Sequence, residues 1–230
     1  MVWDTDVDCP ILVPRRDDRG PRDIIWEKIR SYVWGRAHVM EGHHLDGPFN
    51  RSAAINTAAK KAGDWDIAVI ADSDSFVHPE QLTAAVALAK KTRRLVIPHS
   101  RWVNVTMDES MEFLRSGQLL YDKKRDIYNA TVSSVLVVPR EVWDSVNGFD
   151  QRFKGWGWED VAFMEAVEVL AQGHIRLEGS VYHLAHARPE ADVNRQLDPG
   201  YIANRNHWRN YKLAKGEYGM RTIVSRNMID

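Results

Sequence analysis

The chain has 230 residues, 44% hydrophobic and 27% charged, which suffices for one sizeable α/β domain with its own core. Its 31 basic and 32 acidic residues leave a formal net charge of -1, so there is no electrostatic footing for nucleic acid or an anionic membrane surface. No apolar run reaches the length of a membrane span, Cys9 as the single cysteine excludes an intrachain disulfide, and the N-terminus lacks a leader pattern; the expected location is the cytoplasm.

Taken in chain order, Cys9 to Val13 reads as a first strand and Pro14 to Asp18 as the loop at its carboxyl end. Pro21 suits a helix start, and Ile24, Ile25, Ile29 and Val33 recur at helical spacing. Ala37 to Met40 is a short second strand. Asn50 is placed to cap an Ala-rich helix from Arg51 to Ala62, closed by Gly63. Ile67 to Ala71 is an uninterrupted apolar run, the pattern of a strand buried on both faces. Pro79 opens a helix through Lys91, and Leu95 to Pro98 is the next strand. This β-α-β-α-β-α-β order implies a parallel sheet with right-handed crossovers.

From Arg101 to Asn129 the pattern weakens, with a short helix over Met107 to Arg115 and loop elsewhere. Thr131 to Val138 is a strand, Arg140 to Val146 a short helix, and Glu159 to Ala171 a longer one ended by Gly173. His174 to Leu177 and Ser180 to His183 are short strands, and Tyr201 to Gly216 is a final polar helix lying across the domain. The expected fold is therefore α/β, a mixed and mostly parallel sheet flanked by helices in a single domain over 1–230.

Several polar constellations stand out from this frame. Asp72-Ser73-Asp74 falls where the central strand ends, the edge at which open α/β sheets bind ligands. Two adjacent carboxylates need a cation nearby, and a divalent metal carrying phosphate oxygens is the natural one, although Asp and Ser also make ordinary turns. Arg15, Arg16 and Arg51 lie at the same sheet edge, where guanidinium forks match phosphate. Gly155-Trp156-Gly157-Trp158-Glu159-Asp160 joins a conformationally free loop to two acids in the first turn of a helix, where the dipole favours negative charge. His183 and His186 sit three apart. Imidazole added to carboxylate favours Mn²⁺, with Mg²⁺ the second choice.

Together these segments resemble the GT-A glycosyltransferases, within them the β-1,4-galactosyltransferase-like and chondroitin-polymerase-like enzymes. Val13-Pro14-Arg15-Arg16 resembles the family's nucleotide-binding first loop, and Phe49-Asn50-Arg51-Ser52-Ala53 its Phe-Asn-Arg-Ala segment. Asp72-Ser73-Asp74 resembles the Asp-x-Asp motif. Asn147-Gly148-Phe149-Asp150 with Gly155 to Asp160 resembles the acceptor segment, and His183 to His186 stands in the place of a Met-x-x-His pair. The resemblance runs from about Pro10 to His186. It implies a single GT-A domain in which about 9–98 form the nucleotide-sugar-binding half and about 99–230 the acceptor-binding and metal-completing half, with Asp74, His186 and His183 as metal ligands. It also implies Asp160 as catalytic base, and Glu159 as the carboxylate that holds a substrate hydroxyl. Pro14, Arg15, Arg16, Asn50, Arg51, Asp72, Ser73, Trp156 and Gly157 would bind the donor, a UDP-sugar, and Trp156 would sit in a loop that closes over it. Two departures narrow the inference. Val161-Ala162 follows the Glu-Asp pair where galactosyltransferases carry more acids, and Arg15 stands where the family places an aromatic against uracil.

The expected activity is metal-dependent, inverting transfer of a hexose or N-acetylhexosamine to an acceptor hydroxyl on a carbohydrate, protein, metabolite, glycolipid or modified base. Two other readings are open at this point. One is a nucleotidyltransferase, which would require further carboxylates for a second metal; the other is a non-catalytic carbohydrate- or nucleotide-binding module.

Overall fold

The computed structural model describes residues 3, 5–17, 19–121, 128–129, 132–186 and 197–228. Its elements in order are β1 (Ile11–Arg15), α1 (Pro21–Tyr32), β2 (Val39–His43), α2 (Arg51–Lys61), β3 (Ile67–Ala71), β4 (Ser75–Val77), α3 (Pro79–Thr92), β5 (Leu95–Ile97) and β6 (Arg101–Asn104). There follow α4 (Met107–Ser116), β7 (Tyr128–Asn129), β8 (Val135–Pro139), α5 (Arg140–Val146), α6 (Glu159–Leu170), β9 (His174–Arg176), β10 (Ser180–His183), α7 (Pro199–Leu213) and α8 (Gly216–Val224).

Six strands form the main sheet in the order β2-β1-β3-β8-β5-β9. Five share one direction; β8 runs against both neighbours, pairing along its whole length with β3 from Ile67↔Pro139 to Ala71↔Val135. The sheet is thus mixed and mostly parallel, as expected. Every residue of β3 and β8 is buried, which accounts for their unbroken apolar sequence. Alternate residues feed two cores. Ile11, Val13, Val69 and Val137 pack with Ile25, Trp26 and Ile29 of α1 and with α3 on one face. Leu12, Ala68, Ile70, Leu136 and Val138 pack with α2, α5 and α6 on the other.

Four local expectations are corrected. Pro14 and Arg15 belong to β1 rather than to the loop after it, because pairing with β2 continues to Arg15↔His43. Proline is tolerated there because the register with β3 covers Ile11 and Leu12 but stops before it. Arg101 to Asn104, read as loop, and Ser75 to Val77, just after the acidic turn, become strands of a second sheet ordered β4-β10-β6-β7. Their partners lie far away in sequence, so local pattern did not reveal them. β8 starts at Val135 rather than further upstream. The C-terminal helix divides into α7 and α8 around Ala214 and Lys215. Asp18, residues 122–127 and Thr131, which fall within the expected loops and strand, lie outside the described residues.

One glycine governs how closely α2 approaches the sheet. A Cβ at Gly42 of β2 would sit 1.8 Å from the Ala54 carbonyl oxygen of α2, a backbone atom that has no room to yield. Gly42→Ala is expected to destabilise the chain by at least the 1–3 kcal/mol typical of overpacking. It should also displace Arg51 at the start of α2. An unchanged urea-unfolding midpoint would refute this packing.

Candidate active site

β3 delivers Asp72-Ser73-Asp74 to the carboxyl edge of the main sheet, in a turn closed by the Ser75 N–H donating to the Asp72 carbonyl at 3.2 Å. β4 then pairs antiparallel with β10, with His183 opposite Ser75, and the Leu184 N–H donates to the Asp74 carbonyl at 3.0 Å. This pairing joins an acidic turn to two histidines more than a hundred positions later. Nε2 of His186 lies 3.2 Å from Asp74 Oδ2, and Nε2 of His183 lies 3.6 Å from the same oxygen. The potential ligand atoms of all three residues fall within 4.8 Å of one another; among the described residues, this is the cluster of such groups that closes. Trp102 packs against the His183 ring at 5.3 Å, and Ser75 Oγ donates to Asp74 Oδ1 at 3.0 Å, leaving Oδ2 to the histidines. Burial alone would raise the Asp74 carboxyl. Hydrogen bonds from His183 and His186 outweigh burial and hold it well below the usual carboxylate range. Two imidazoles and a carboxylate converging in this way fit a divalent cation, and the nitrogen donors suit Mn²⁺ better than Mg²⁺.

Beside this cluster lies a buried ion network. Arg51, the first residue of α2, donates from Nε to Asp72 Oδ1 at 2.8 Å, and its Nη1 lies 3.7 Å from Glu159 Oε1. Its guanidinium stands 5.9 Å from the Phe149 ring centre. Although burial works against its charge, Asp72, Glu159 and Asp160 together raise the arginine's proton affinity above the ordinary value. Burial raises Asp72, against the pull of Arg51. Glu159 is pushed up to about 7, first by burial and then by the charge of Asp160, with Arg51 offsetting part of this. Glu159 Oε2 and Arg51 Nη1 are buried without a hydrogen-bond partner. A polar ligand reaching between them would satisfy both. Asp160, next along α6, is half-buried, and its Oδ1 accepts from the Val161 N–H at 2.8 Å.

The loop before α6 is held from two sides. The Gly155 N–H donates to the Phe49 carbonyl at 2.9 Å and Gly155 bridges to Asn50, whose side chain also caps α2 through Ala53 N–H and donates to the Gln151 carbonyl. From behind, the buried Asn204 of α7 bonds Lys154 through both its N–H and its carbonyl. Tyr201 stacks on the exposed Trp156, with ring centres 5.5 Å apart, and Trp208 stacks on Trp158 at 4.5 Å. Gly157 takes φ +96, and a Cβ there would meet the Tyr201 ring at 3.2 Å. Asp150 anchors the same helix by accepting from His207, Tyr211 and Arg152.

The structure therefore brings Arg51, Asp72, Asp74, His183, His186, Glu159 and Asp160 to one region, with Ser73 half-buried in the turn and Asn50 tying α2 to the Gly-Trp loop. It commits Arg15 elsewhere: the guanidinium donates to Asp23 at 2.7 Å and to Glu41 at 3.2 Å, over the Trp26 ring. Pro14 is buried within β1. Arg16 donates to the His44 carbonyl at 3.1 Å and lies over Phe49 at 5.8 Å, so it braces the loop before α2. Sequence reasoning missed Glu41, Asn204 and Tyr201. The first was hidden in a strand, and the other two in a helix whose polar composition carries no motif.

With this geometry in place, the comparisons with known proteins are informative. Residues 120–187 match the family model described as the N-terminal domain of galactosyltransferase, a span that contains the acid pair and both histidines. The catalytic domain of Drosophila beta1,4galactosyltransferase 7, solved with xylobiose, is 20% identical, covering 73% of this chain and 63% of that one, with a TM-score of 0.51. A mutant of that enzyme, solved with manganese, UDP-Gal and xylobiose, is 17% identical over 83% of this chain and 80% of the other, at 0.53. TarS from S. aureus, in complex with UDP-GlcNAc, is 12% identical over 95% of this chain and 70% of the other, at 0.59. An uncharacterized protein of Sinorhizobium fredii, y4gI, is 23% identical over 204 residues; the chain spans 22% of its length. The fold is thus the GT-A architecture shared with these solved glycosyltransferases, and the match to the galactosyltransferase model falls on the part of the chain that carries the acid pair and both histidines. No helix among the described residues is long and apolar enough to cross a membrane.

The position of Glu159 makes stability depend on pH. Its carboxyl stands at about 7 when folded against an ordinary 4.5, so between these values the folded chain holds a proton that the unfolded chain has lost. Stability must fall as pH rises through this window. Glu159→Gln should remove that part of the fall, gaining on the order of 3 kcal/mol relative to the parent between pH 4.5 and pH 8. Urea unfolding of both proteins across the range checks this, and parallel pH profiles would contradict it.

Proposed function

We propose that this chain is a metal-dependent, inverting glycosyltransferase that moves a hexose or N-acetylhexosamine from a UDP-sugar to an acceptor hydroxyl. The observation that carries the reading is the convergence of Asp74, His183 and His186 beside the buried Arg51-Asp72-Glu159 network at the end of β3. The family match over 120–187 and the GT-A fold shared with enzymes solved with UDP-sugars support it. The histidine-completed site also favours it over a nucleotidyltransferase, whose two metals would call for additional carboxylates.

Asp74, His183 and His186 would hold a divalent cation, which would supply positive charge against the negative charge that grows on the departing diphosphate. Arg51 keeps Asp72 in place to receive donor hydroxyls. Asp160 takes the proton of the acceptor hydroxyl as that oxygen bonds to the anomeric carbon; the bond from that carbon to the diphosphate breaks, and UDP departs with the electron pair. Attack opposite the leaving group inverts the centre. Glu159, with its carboxyl near 7, stays partly protonated at neutral pH and can both donate to and accept from a substrate hydroxyl. The Gly155 to Trp158 loop excludes water from the donor. In this reading residues 9–98 chiefly hold the nucleotide sugar, residues 99–230 hold the acceptor and complete the metal site, and the reaction takes place in the cytoplasm. A carbohydrate is the favoured acceptor, because the aromatic face of Trp156 is exposed beside the acids.

Two outcomes are expected from release of UDP measured over a panel of sugar nucleotides. Activity should vanish in excess chelator and return best with Mn²⁺, and His186→Ala should lower Mn²⁺ affinity by more than the 10–100-fold typical of losing a group that merely orients a ligand. Full turnover in chelator would overturn the metal assignment. Asp160→Asn retains size and capping ability but cannot take a proton, so turnover should fall about 10²–10⁴-fold while donor binding persists. Near-parental turnover would transfer the role of base to Glu159.

A further inference from the structure

The two histidines of the cluster are held by different means. His183 closes β10 and has a strand on each side, pairing with Ser75 of β4 and with Asn104 of β6. The last rung towards β6 is the Val105 N–H, which donates to the His183 carbonyl at 3.0 Å. Past this rung the two chains part. One enters α4, and the other turns back towards Asp74. His186 therefore lies beyond the strand, where sheet pairing no longer sets its position.

Two hydrogen bonds take over from the ladder. The Leu184 N–H donates to the Asp74 carbonyl at 3.0 Å, and the Ala185 N–H donates to Ser110 Oγ at 2.8 Å. Ser110 lies one turn into α4 and is fully buried. Its hydroxyl donates to the Thr106 carbonyl at 2.7 Å, which uses its one proton. The oxygen lone pairs are left for Ala185, whose N–H can only donate, so the direction of both bonds is fixed. Thr106 is in turn held as the N-cap of α4 by a capping box with Glu109. Phe113 of the same helix stacks on Phe76 of β4 at 5.1 Å. The acceptor offered to Ala185 is thus anchored to the small sheet that carries His183.

We propose that Ser110 is a positioning residue for the metal site: through the Ala185 N–H it seats His186 beside Asp74 and His183, so that all three groups stand ready before a cation arrives. The inference rests on the metal-dependent part of the proposed function and is independent of donor and acceptor. Without the hydroxyl, the Ala185 N–H loses its acceptor, and the turn that carries His186 must shift to find another. A cation would then have to order His186 as it binds, a cost that a preorganised site does not meet. This gives α4, a helix in the stretch where the local pattern weakens, a part in the chemistry that no motif announces.

The test is Mn²⁺ binding to the full chain, followed by the electron paramagnetic resonance signal of free Mn²⁺, with urea unfolding measured alongside. Ser110→Ala should weaken Mn²⁺ binding about 10–100-fold, the range typical of losing a group that orients a ligand. Ser110→Cys keeps the side chain's shape but offers sulfur, a weak acceptor, and should show a smaller loss in the same direction. If Ser110→Ala does not fold, the Cys variant carries the test. In the metal-free parent the Ala185 amide should be protected from hydrogen exchange, and either variant should lose part of that protection. A merely structural serine would lower the urea midpoint and leave Mn²⁺ affinity at the parent's value. That result, or an unprotected Ala185 amide in the parent, overturns the proposal while leaving the metal site standing. Absence of Mn²⁺ binding by the parent overturns the metal site, and this inference with it.

Discussion

A single buried guanidinium holds this site together. The Arg51 side chain is 13% exposed and lies against Asp72 and Glu159, with Asp160 and Asp74 close behind. Burying carboxylates costs several kcal/mol each unless they are paired, and one cation does not offset so many. The excess negative charge is relieved in two different ways. Glu159 retains its proton to about pH 7, and Asp74 is stabilised by two histidines. The same excess makes the turn after β3 a place where a further cation is favoured.

The frame around this network is rigid where the charges are and aromatic where a substrate would approach. Asn50 links the start of α2 to the Gly-Trp loop and to Gln151, so that Arg51 and Glu159 keep their separation. On the far side α7 supplies Asn204, Tyr201 and Trp208 to the loop, and is itself fixed by the buried Asp150 with His207 and Tyr211. Burial would raise the Asp150 carboxyl, but these hydrogen bonds and those from Arg152 hold it below the usual range, the mark of a satisfied polar anchor. The GT-A fold is shared with enzymes at 12–20% identity, a level at which architecture persists while substrate-facing residues differ freely.

Much of this was legible in the residues themselves. The apolar run of Ile67 to Ala71, the alternation of strands with helical spacing, and the Asn50 cap determined an α/β sheet flanked by helices, because burial on two faces and helix periodicity leave direct marks on local sequence. The acids at the end of β3 and at the start of α6 were equally visible, since sheet edges and helix N-termini are positions that sequence alone can locate. Tertiary structure decided what those residues face. Antiparallel β8 inserted between β3 and β5, and the pairing of β4 with β10 that carries His183 and His186 to Asp74, depend on long-range register that no local pattern encodes. Arg15 and Arg51 looked alike as arginines at one edge. Glu41 on β2 took the first into an ion pair, and Asp72 took the second into the site. Which of two identical cations serves the site is set by the carboxylate each meets in space, and only the folded chain fixes those distances.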